Sequence, residues 1–360
     1  MQRRSFIKYS SLTAAGLLML RNSPLAALFN DPSFNIKMLT DDIGIFTEKG
    51  GTILFMFTKE GTVVIDAQFP DSAQHLIDEL KKKNDAAFRV LINTHHHGDH
   101  TAGNIAFKGI VAHVLAHENS KINQQNAAVK NKNEDKQLYP DQTFSNVWSE
   151  KIGKEEVTLH YFGAGHTNGD SIVQLKHANI IHMGDLVFNR KHPYVDKSAG
   201  ANMANWIQLL EKTTDKFSKK TTYICGHAGA GYDVIVKNTD LLAFRDYLGN
   251  VLHYVNEAIK AGKSKDEILK ATSIPGSEQW AGEGIERPQE SRGVVDGSSE
   301  AVQSVPSHAG SSRGADPVAM QEQTALLLQS GIGAYLEIAH NLYGFTRPSS
   351  YSKRPTTQEQ

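Results

Sequence analysis

The sequence has little cysteine, no excess of charge of either sign and no long apolar run. Its single cysteine, Cys225, excludes an intramolecular disulfide, so the fold depends on packing, hydrogen bonds or metal. The 38 basic and 39 acidic residues give a net charge of −1, which disfavours a nucleic-acid partner. A hydrophobic fraction of 39% and a charged fraction of 21% are typical of a globular protein and exclude fibrous, collagenous and multi-span membrane proteins.

The chain contains 360 residues, a length that suggests about two domains or one large domain with appendages. It is rich in histidine: there are 16, and four of them lie between His95 and His100. We expect a small-molecule substrate and no nucleic-acid partner, and the sequence leaves the oligomeric state open.

Residues 1–27 resemble an export signal. A pair of arginines, Arg3 and Arg4, precedes an apolar run at residues 12–20 that is too short to span a bilayer, and small residues follow. This order resembles a twin-arginine signal peptide, which is a receptor-read address rather than an anchor. We therefore expect a periplasmic or otherwise exported protein with no stable membrane anchor after cleavage. An uncleaved anchor is the alternative.

From residue 36 onward, short strand-like runs alternate with turn signals. An amphipathic helix is predicted from Ala73 to a basic end at residues 81–83, where cations favour the helix dipole, and a second helix at 118–130. Strands outnumber helices, so the predicted fold class is mixed α/β. The predicted strands cover residues 43–46, 52–58, 61–66, 89–93, 157–162, 171–175, 179–182 and 222–225.

The C-terminal third changes character. A helical pattern with one apolar face runs over residues 238–262, and Ser264 to Glu267 is a capping-box signature for a second helix, so that residues 241–281 form a predicted unit of C-terminal helices. Residues 282–319 hold no aromatic residue and are rich in glycine, serine and proline, which is typical of a disordered insertion. A last helix and a solvated tail are predicted at residues 320–360.

Four candidate metal ligands follow the apolar strand at residues 89–93. His95 and His97 are two residues apart, so in an extended segment their side chains point the same way and can bind one ion. Asp99 and His100 add a carboxylate and an imidazole for a second ion nearby. Neutral imidazole and carboxylate are the usual ligands of catalytic zinc. A histidine-rich loop that binds metal only adventitiously is the alternative.

Further candidate ligands follow later strands. His166 lies in Gly-His-Thr, Asp185 in Gly-Asp and His227 in Gly-His, and the neighbouring glycines permit close backbone approach around a metal. In chain order, His-x-His-x-Asp-His, Gly-His-Thr, Gly-Asp and Gly-His resemble the ligand signature of the metallo-β-lactamase fold superfamily. The resemblance defines a predicted domain at residues 36–240.

This resemblance implies a four-layer αββα sandwich with two zinc ions at one edge of its sheets, extended here by C-terminal helices. Asp66 matches an aspartate that supports the ligand loop, and His96 is expected to face away from the ions. The remaining matches assign the first zinc to His95, His97 and His166, the second to Asp99, His100 and His227, and a bridge between them to Asp185.

Asp185 also indicates which branch of the superfamily the sequence resembles. The β-lactamases of this fold usually lack an aspartate there, one class having cysteine, and Cys225 is not at that place. Asp185 therefore favours an ester, thioester, lactone or phosphodiester hydrolase. The segment is similar to hydroxyacylglutathione hydrolases, but residues 186–190 lack their Gly-Cys-Gly-Arg pattern. Little-characterised exported hydrolases of the superfamily are the most similar group.

The leading hypothesis is an exported dinuclear zinc-dependent hydrolase in which a zinc-activated hydroxide attacks an ester, thioester, lactone or amide-like carbonyl. Asp99 would orient that hydroxide or pass its proton to the leaving group. The alternatives are a β-lactam hydrolase, a mononuclear iron dioxygenase that oxidises sulfur compounds, and a non-catalytic metal-binding protein.

Tyr194 is a candidate for binding the oxyanion that develops on the substrate. It follows Pro193, whose fixed φ stiffens the approach, in a polar segment that the superfamily places at the rim of the metal cleft. The alternative is packing against Trp206 or neighbouring helices, with Lys191 and His192 as the other candidate donors.

Overall fold

The structure is a computed structural model that describes residues 34–280. The predicted signal at residues 1–27, the insertion at 282–319 and the last helix and tail at 320–360 lie outside the described residues. None of the helices between residues 34 and 280 combines the length and the apolar composition that a membrane span requires.

The first sheet has seven strands arranged in chain order. The first four are antiparallel neighbours, whereas the fourth to seventh run parallel to one another. Parallel strands place their carboxyl ends at one edge of a sheet, and the ligand loop leaves the sheet at that edge. The strands are β1 (Asn35–Met38), β2 (Ile43–Thr47), β3 (Ile53–Met56), β4 (Thr62–Ile65), β5 (Phe88–Asn93), β6 (Val111–His117) and β7 (Gln142–Phe144).

The second sheet has six strands in the order 13-12-11-10-9-8. Neighbouring strands of this sheet are antiparallel, except for the eleventh and twelfth, which run parallel to each other. The eleventh strand carries Asp185 and the twelfth carries His227. This pairing brings two distant motifs to the same edge. The strands are β8 (Val147–Ile152), β9 (Glu155–His160), β10 (Ile172–Leu175), β11 (Ile180–Asn189), β12 (Thr222–Ala228) and β13 (Ile235–Val236).

Helices cover the outer faces of both sheets. Leu76 and Ile77 pack onto the first sheet, and Trp206 and Phe244 onto the second. The predicted αββα arrangement is therefore confirmed. The helices are α1 (Pro70–Lys83), α2 (Gly98–Thr101), α3 (Glu118–Asn131), α4 (Met203–Lys216), α5 (Asn238–Lys260) and α6 (Lys265–Ile268).

Strand β4 shows why these strands have continuous apolar sequences. Val63 and Ile65 point into the core between the two sheets, whereas Val64 between them packs against α1. Side chains alternate across a strand, and both faces of this one are covered. Fully burying such a side chain contributes about 1.5–3 kcal/mol, so the sandwich is stabilised on both sides of each sheet.

Helix α4 is not among the elements that we predicted, although the sequence carries its signals. Met203, Trp206 and Leu210 recur at helical spacing and are buried on one face. The Asn202 side chain accepts a hydrogen bond from the Asn205 backbone N at 2.9 Å, which caps the first turn.

Helix α5 begins at Asn238, so the boundary predicted at residue 240 falls in its first turn. The Asp240 carboxylate accepts a hydrogen bond from the Lys237 backbone N at 2.9 Å and fixes this start. Phe244 lies in the same core as Trp206, with the two rings 5.5 Å apart. The helix is thus an outer layer of the sandwich.

The end of this helix follows the predicted pattern. Gly262 adopts a φ of +74°, the left-handed conformation that glycine supplies at helix C-termini. Ser264 and Glu267 form the predicted capping box at the start of α6.

Candidate metal centre

The ligand loop begins where β5 ends and is held from below by Asp66. The two oxygens of Asp66 accept hydrogen bonds from the backbone N and the hydroxyl of Thr94, both at 2.8 Å. The backbone of Asp66 has a φ of +66°, which is uncommon for a residue with a Cβ. This conformation turns the buried carboxylate toward the loop, in agreement with the supporting role that the resemblance implies.

The first cluster consists of His95, His97, His166 and Asp185, whose candidate ligand atoms lie within 4.8 Å of one another. Nδ1 of His97 lies 3.0 Å from Nε2 of His95 and 2.8 Å from Nε2 of His166. One oxygen of Asp185 lies 3.5 Å from Nε2 of His166 and 3.8 Å from Nε2 of His95. Three imidazoles and one carboxylate therefore converge on one point.

The second cluster consists of Asp99, His100, His227 and, again, Asp185. The other oxygen of Asp185 lies 3.1 Å from Nε2 of His100 and 3.4 Å from Nε2 of His227. Asp99 Oδ2 lies 3.1 Å from Nε2 of His227. One carboxylate thus faces both clusters, with one oxygen directed to each.

Two glycines allow this crowding. A Cβ on Gly226 would lie 2.0 Å from Oδ1 of Asp185, and a Cβ on Gly51 would lie 2.1 Å from the His100 ring. Any larger residue at either position would displace a candidate ligand, so the glycine next to His227 is required by close approach.

Burial and neighbouring charge shift the pKa values of three histidines of the two clusters in different directions. Burial lowers the pKa of His95 well below its ordinary value and that of His166 to about 3, so both imidazoles are neutral, the form that binds metal. Burial also opposes a charge on His100, but the carboxylates of Asp185 and Asp99 raise its pKa well above the ordinary value. A cation bound at the second cluster would displace that proton.

This donor set fits a pair of divalent cations. Within the two clusters, five buried atoms make no hydrogen bond to the described residues: Asp99 Oδ2, His100 Nε2, both carboxylate oxygens of Asp185 and His227 Nε2. Leaving a buried polar atom without a partner costs about 1–3 kcal/mol, so five in one place indicate ligands for a cation. Imidazole and carboxylate are ligands that zinc accepts, with about four per ion.

Tyr194 lies beside the first cluster. Its half-buried ring has its centroid 5.5 Å from that of His97, and its carbonyl lies 2.7 Å from Nδ1 of His166. Trp206, the predicted alternative partner, is fully buried and donates its indole N–H to the Leu186 carbonyl at 3.0 Å. The ring of Tyr194 therefore lies beside the first cluster, next to His97.

The two other candidate donors lie in different environments. Lys191 lines a cleft beside His227. His192, by contrast, is fully buried, and its Nδ1 lies 2.8 Å from the Tyr247 hydroxyl. His192 therefore faces the core, and its candidacy as a donor to the substrate is wrong.

Asp196 is a residue of the site that sequence reasoning missed. Its Oδ2 lies 2.9 Å from Nε2 of His97 and 3.6 Å from Nε2 of His96, and these three residues form a third group of converging ligand atoms. His96 belongs to neither of the two larger clusters, as expected. Asp196 is 99 residues from His97, and no motif in its own segment marks it.

A cleft of about 610 Å³ opens beside the second cluster. It lies between the turn that joins β2 to β3 and the segments that follow β11 and β12. The charged residues of its lining carry both signs, so the cleft suits a small polar molecule. They are Lys37, Glu48, Lys191 and Asp233, and His227 reaches the cleft from the metal centre.

The chain belongs to the metallo-beta-lactamase superfamily, whose family model matches residues 47–228. The matched stretch contains all seven candidate ligands. Most members of this superfamily are metal-dependent hydrolases.

Similar proteins of known name support the family at low identity. The chain is 26% identical over 190 residues to metallo-beta-lactamase IND-1 of Chryseobacterium indologenes, covering 51% of this chain and 75% of that protein. It is 24% identical over 205 residues to a type 2 metallo-beta-lactamase of Elizabethkingia meningoseptica, covering 54% and 79%. A solved metallo-beta-lactamase from Pontibacter korlensis superposes with a TM-score of 0.52 at 22% identity, covering 60% of this chain and 99% of that one.

Proposed function

We propose that this protein is a hydrolase that uses two zinc ions per chain to cleave a small molecule at an ester, thioester, lactone or amide-like carbonyl. The observation that carries the proposal is the orientation of Asp185. One of its oxygens lies 3.1 Å from Nε2 of His100 and the other 3.5 Å from Nε2 of His166, so a single carboxylate serves two clusters of ligands.

Zinc bound in such a centre acidifies a coordinated water toward neutral pH and polarises a carbonyl group. The chain's own contribution is to hold His95, His166 and Asp185 in the protonation state that binds metal. His95 and His166 are neutral because they are buried. Asp185 is ionised although it is buried, since the neighbouring His227 and His100 lower the pKa of its carboxyl.

Asp99 is the group that we assign to proton transfer. Its side chain keeps about a tenth of its surface exposed, 11%, whereas Asp185 has none. Although burial opposes it, the charges of His100 and His227 lower the pKa of Asp99, so it is an acceptor at neutral pH. The ionised Asp99 can therefore accept a hydrogen bond from the attacking water and orient it, and a proton that it receives would pass readily to the leaving group.

The substrate is expected to lie in the cleft beside His227 and to reach the metal centre from there. The lining of this cleft includes Lys191, which would bind a polar group away from the reacting carbonyl. Tyr194 would approach from the side of His97 and donate its hydroxyl to the developing oxyanion.

β-Lactam hydrolysis is the second candidate, because the similar proteins of Chryseobacterium indologenes and Elizabethkingia meningoseptica are named metallo-beta-lactamases. Two features argue against it. Asp185 occupies the position at which such enzymes usually lack aspartate. The Cys225 thiol is buried, its pKa is raised by burial, and it donates to the His227 carbonyl at 3.2 Å, so no thiolate faces the ions.

We also propose that the protein acts in the periplasm or elsewhere outside the cytoplasm, on the strength of Arg3 and Arg4 and the short apolar run behind them. Replacing both arginines with lysine should retain the protein in the cytoplasmic fraction. N-terminal sequencing of the exported form should show that residues near position 27 have been removed. An unprocessed cytoplasmic wild-type protein would contradict this proposal.

The function is tested on the full chain with a panel of esters, thioesters, lactones, phosphodiesters and β-lactams. We expect hydrolysis of a carbonyl substrate that stops on chelation and returns with zinc. His227→Ala should abolish it, whereas His177→Ala, a control histidine whose side chain is 60% exposed, should not. Turnover of β-lactams alone would favour the second candidate. No hydrolysis of any substrate by the zinc-loaded protein would contradict the proposal.

A further inference from the structure

We propose that Asp196 is a positioning residue for the first metal site, because its carboxylate fixes the His97 ring in the tautomer that presents Nδ1 to the metal. This inference rests on the proposed function, since it requires that the cluster of His95, His97 and His166 bind an ion.

His97 differs from its two neighbours in the nitrogen that it directs into the cluster. His95 and His166 turn Nε2 inward, whereas His97 turns Nδ1 inward, 3.0 Å and 2.8 Å from those atoms. Nε2 of His97 therefore points outward, where it lies 2.9 Å from Oδ2 of Asp196. A neutral imidazole carries one proton, so an acceptor at Nε2 keeps the proton there and leaves Nδ1 free for a metal.

The carboxylate of Asp196 is itself held in place. Its Oδ1 accepts hydrogen bonds from the Ser198 hydroxyl at 2.6 Å and from the Ala199 backbone N at 3.0 Å. The backbone N of Asp196 also donates to the His166 carbonyl at 3.3 Å. Asp196 thus contacts both the ring of His97 and the backbone of His166, two of the three histidines of the first cluster.

The other two histidines of the cluster are oriented by uncharged groups. Nδ1 of His166 lies 2.7 Å from the Tyr194 carbonyl, and Nδ1 of His95 lies 3.1 Å from the Thr94 hydroxyl. A carboxylate is a stronger acceptor and also raises the basicity of the ligand. Loss of the carboxylate should therefore weaken metal binding at this site more than loss of a neutral partner.

Asparagine has the shape of aspartate, but at position 196 it cannot accept hydrogen bonds both from His97 and from Ser198 and Ala199. If its carbonyl accepts from Ser198 and Ala199, its NH₂ group faces Nε2 of His97 and forces the imidazole proton onto Nδ1, which blocks the metal. If the amide is flipped, its NH₂ group meets the backbone N–H of Ala199, and the turn loses its cap. Either orientation disfavours a loaded first site.

The test is a zinc titration of the full-length protein against a chromophoric chelator, with wild type, Asp196→Asn and Ser198→Ala. In Asp196→Asn, one of two zinc equivalents should bind about 10- to 100-fold more weakly and the other unchanged. Ser198→Ala removes one of the two hydrogen bonds to the far oxygen and keeps the carboxylate, so the weakening at the first site should be clearly smaller than in Asp196→Asn.

A second measurement needs no metal. ¹⁵N NMR of the histidine-labelled, metal-free protein reports which ring nitrogen carries the proton, and we expect Nε2–H for His97 in wild type and a change in Asp196→Asn. A wild type that binds fewer than two zinc ions would contradict the proposed function. Two zinc ions bound equally well by wild type and Asp196→Asn, or Nδ1–H on His97 in wild type, would contradict the positioning role alone.

Discussion

Oδ2 of Asp66 lies 2.8 Å from Nδ1 of His100, and both side chains are fully buried. This contact directs the other ring nitrogen of His100 into the second cluster. The same carboxylate holds the backbone and hydroxyl of Thr94, which precedes the ligand loop. Asp66 therefore orients a ligand of the second site and anchors the loop that carries ligands of both.

Asp66→Asn should weaken zinc binding at the second site by about 10- to 100-fold, because the amide loses the charge that orients His100. The first site should be affected less. Zinc titration of the purified variant checks this, with Asp71→Asn as the control, since Asp71 is an exposed aspartate with 54% of its side chain accessible. Zinc affinities in Asp66→Asn that match those of the control would contradict the orienting role.

Asp185→Asn should weaken the second zinc more than the first. Its oxygens lie 3.1 Å and 3.4 Å from the second-cluster nitrogens but 3.5 Å and 3.8 Å from those of the first, and an amide is a poorer ligand than a carboxylate. His95→Ala should have the opposite effect and empty the first site. Metal analysis of both variants after dialysis tests this assignment of ligands to the two zinc sites. The assignment is wrong if each variant loses both ions equally.

Tyr194→Phe should lower kcat by about tenfold, or about 1.4 kcal/mol, with unchanged metal content. Phenylalanine keeps the ring that lies beside His97 and removes only the hydroxyl. Steady-state kinetics on the best substrate, together with zinc quantification, make the comparison. An unchanged kcat would mean that Tyr194 has only a packing role. Lys191 would then be the remaining candidate donor to the oxyanion.

Buried His192 should make the protein less stable in mild acid. Burial lowers its pKa to about 4, below the ordinary value of 6.5. The unfolded chain therefore gains a proton below pH 6.5 that the folded protein does not, and stability falls as the pH drops from 6.5 toward 4.

Between pH 7 and pH 5 this effect should remove about 2 kcal/mol from the free energy of unfolding. Denaturant titrations of wild type and His192→Gln at both pH values isolate the contribution, since other groups cancel in the difference. His177→Gln, at a histidine with 60% of its side chain exposed, serves as the control. The same pH dependence in wild type and His192→Gln would refute this account of His192.

Local patterns predicted most of the fold. The apolar runs that became β4 and β5 and the glycine at the end of α5 follow from periodicity and backbone preference. Helix α4 could also have been predicted, since Met203, Trp206 and Leu210 have helical spacing. Its omission was an error of interpretation and does not reflect a missing signal.

The candidate ligands were found because each lies in a short motif at a strand end. Asp196 has no such motif, and its contact with His97 exists only because the fold brings together residues 99 positions apart. The burial of His192 is equally a tertiary property, since its partner Tyr247 lies 55 residues away on α5. Short sequence motifs can identify candidate metal ligands. The residues that orient those ligands are harder to find, because their contacts depend on the tertiary fold.

We propose above that each of the two clusters binds one zinc ion. The most direct test is to strip the full-length protein of metal, titrate it with zinc and count the ions bound per chain by mass spectrometry under native conditions. We expect two ions in wild type and one in His95→Ala. A wild type that saturates with a single ion in excess zinc would contradict the proposal.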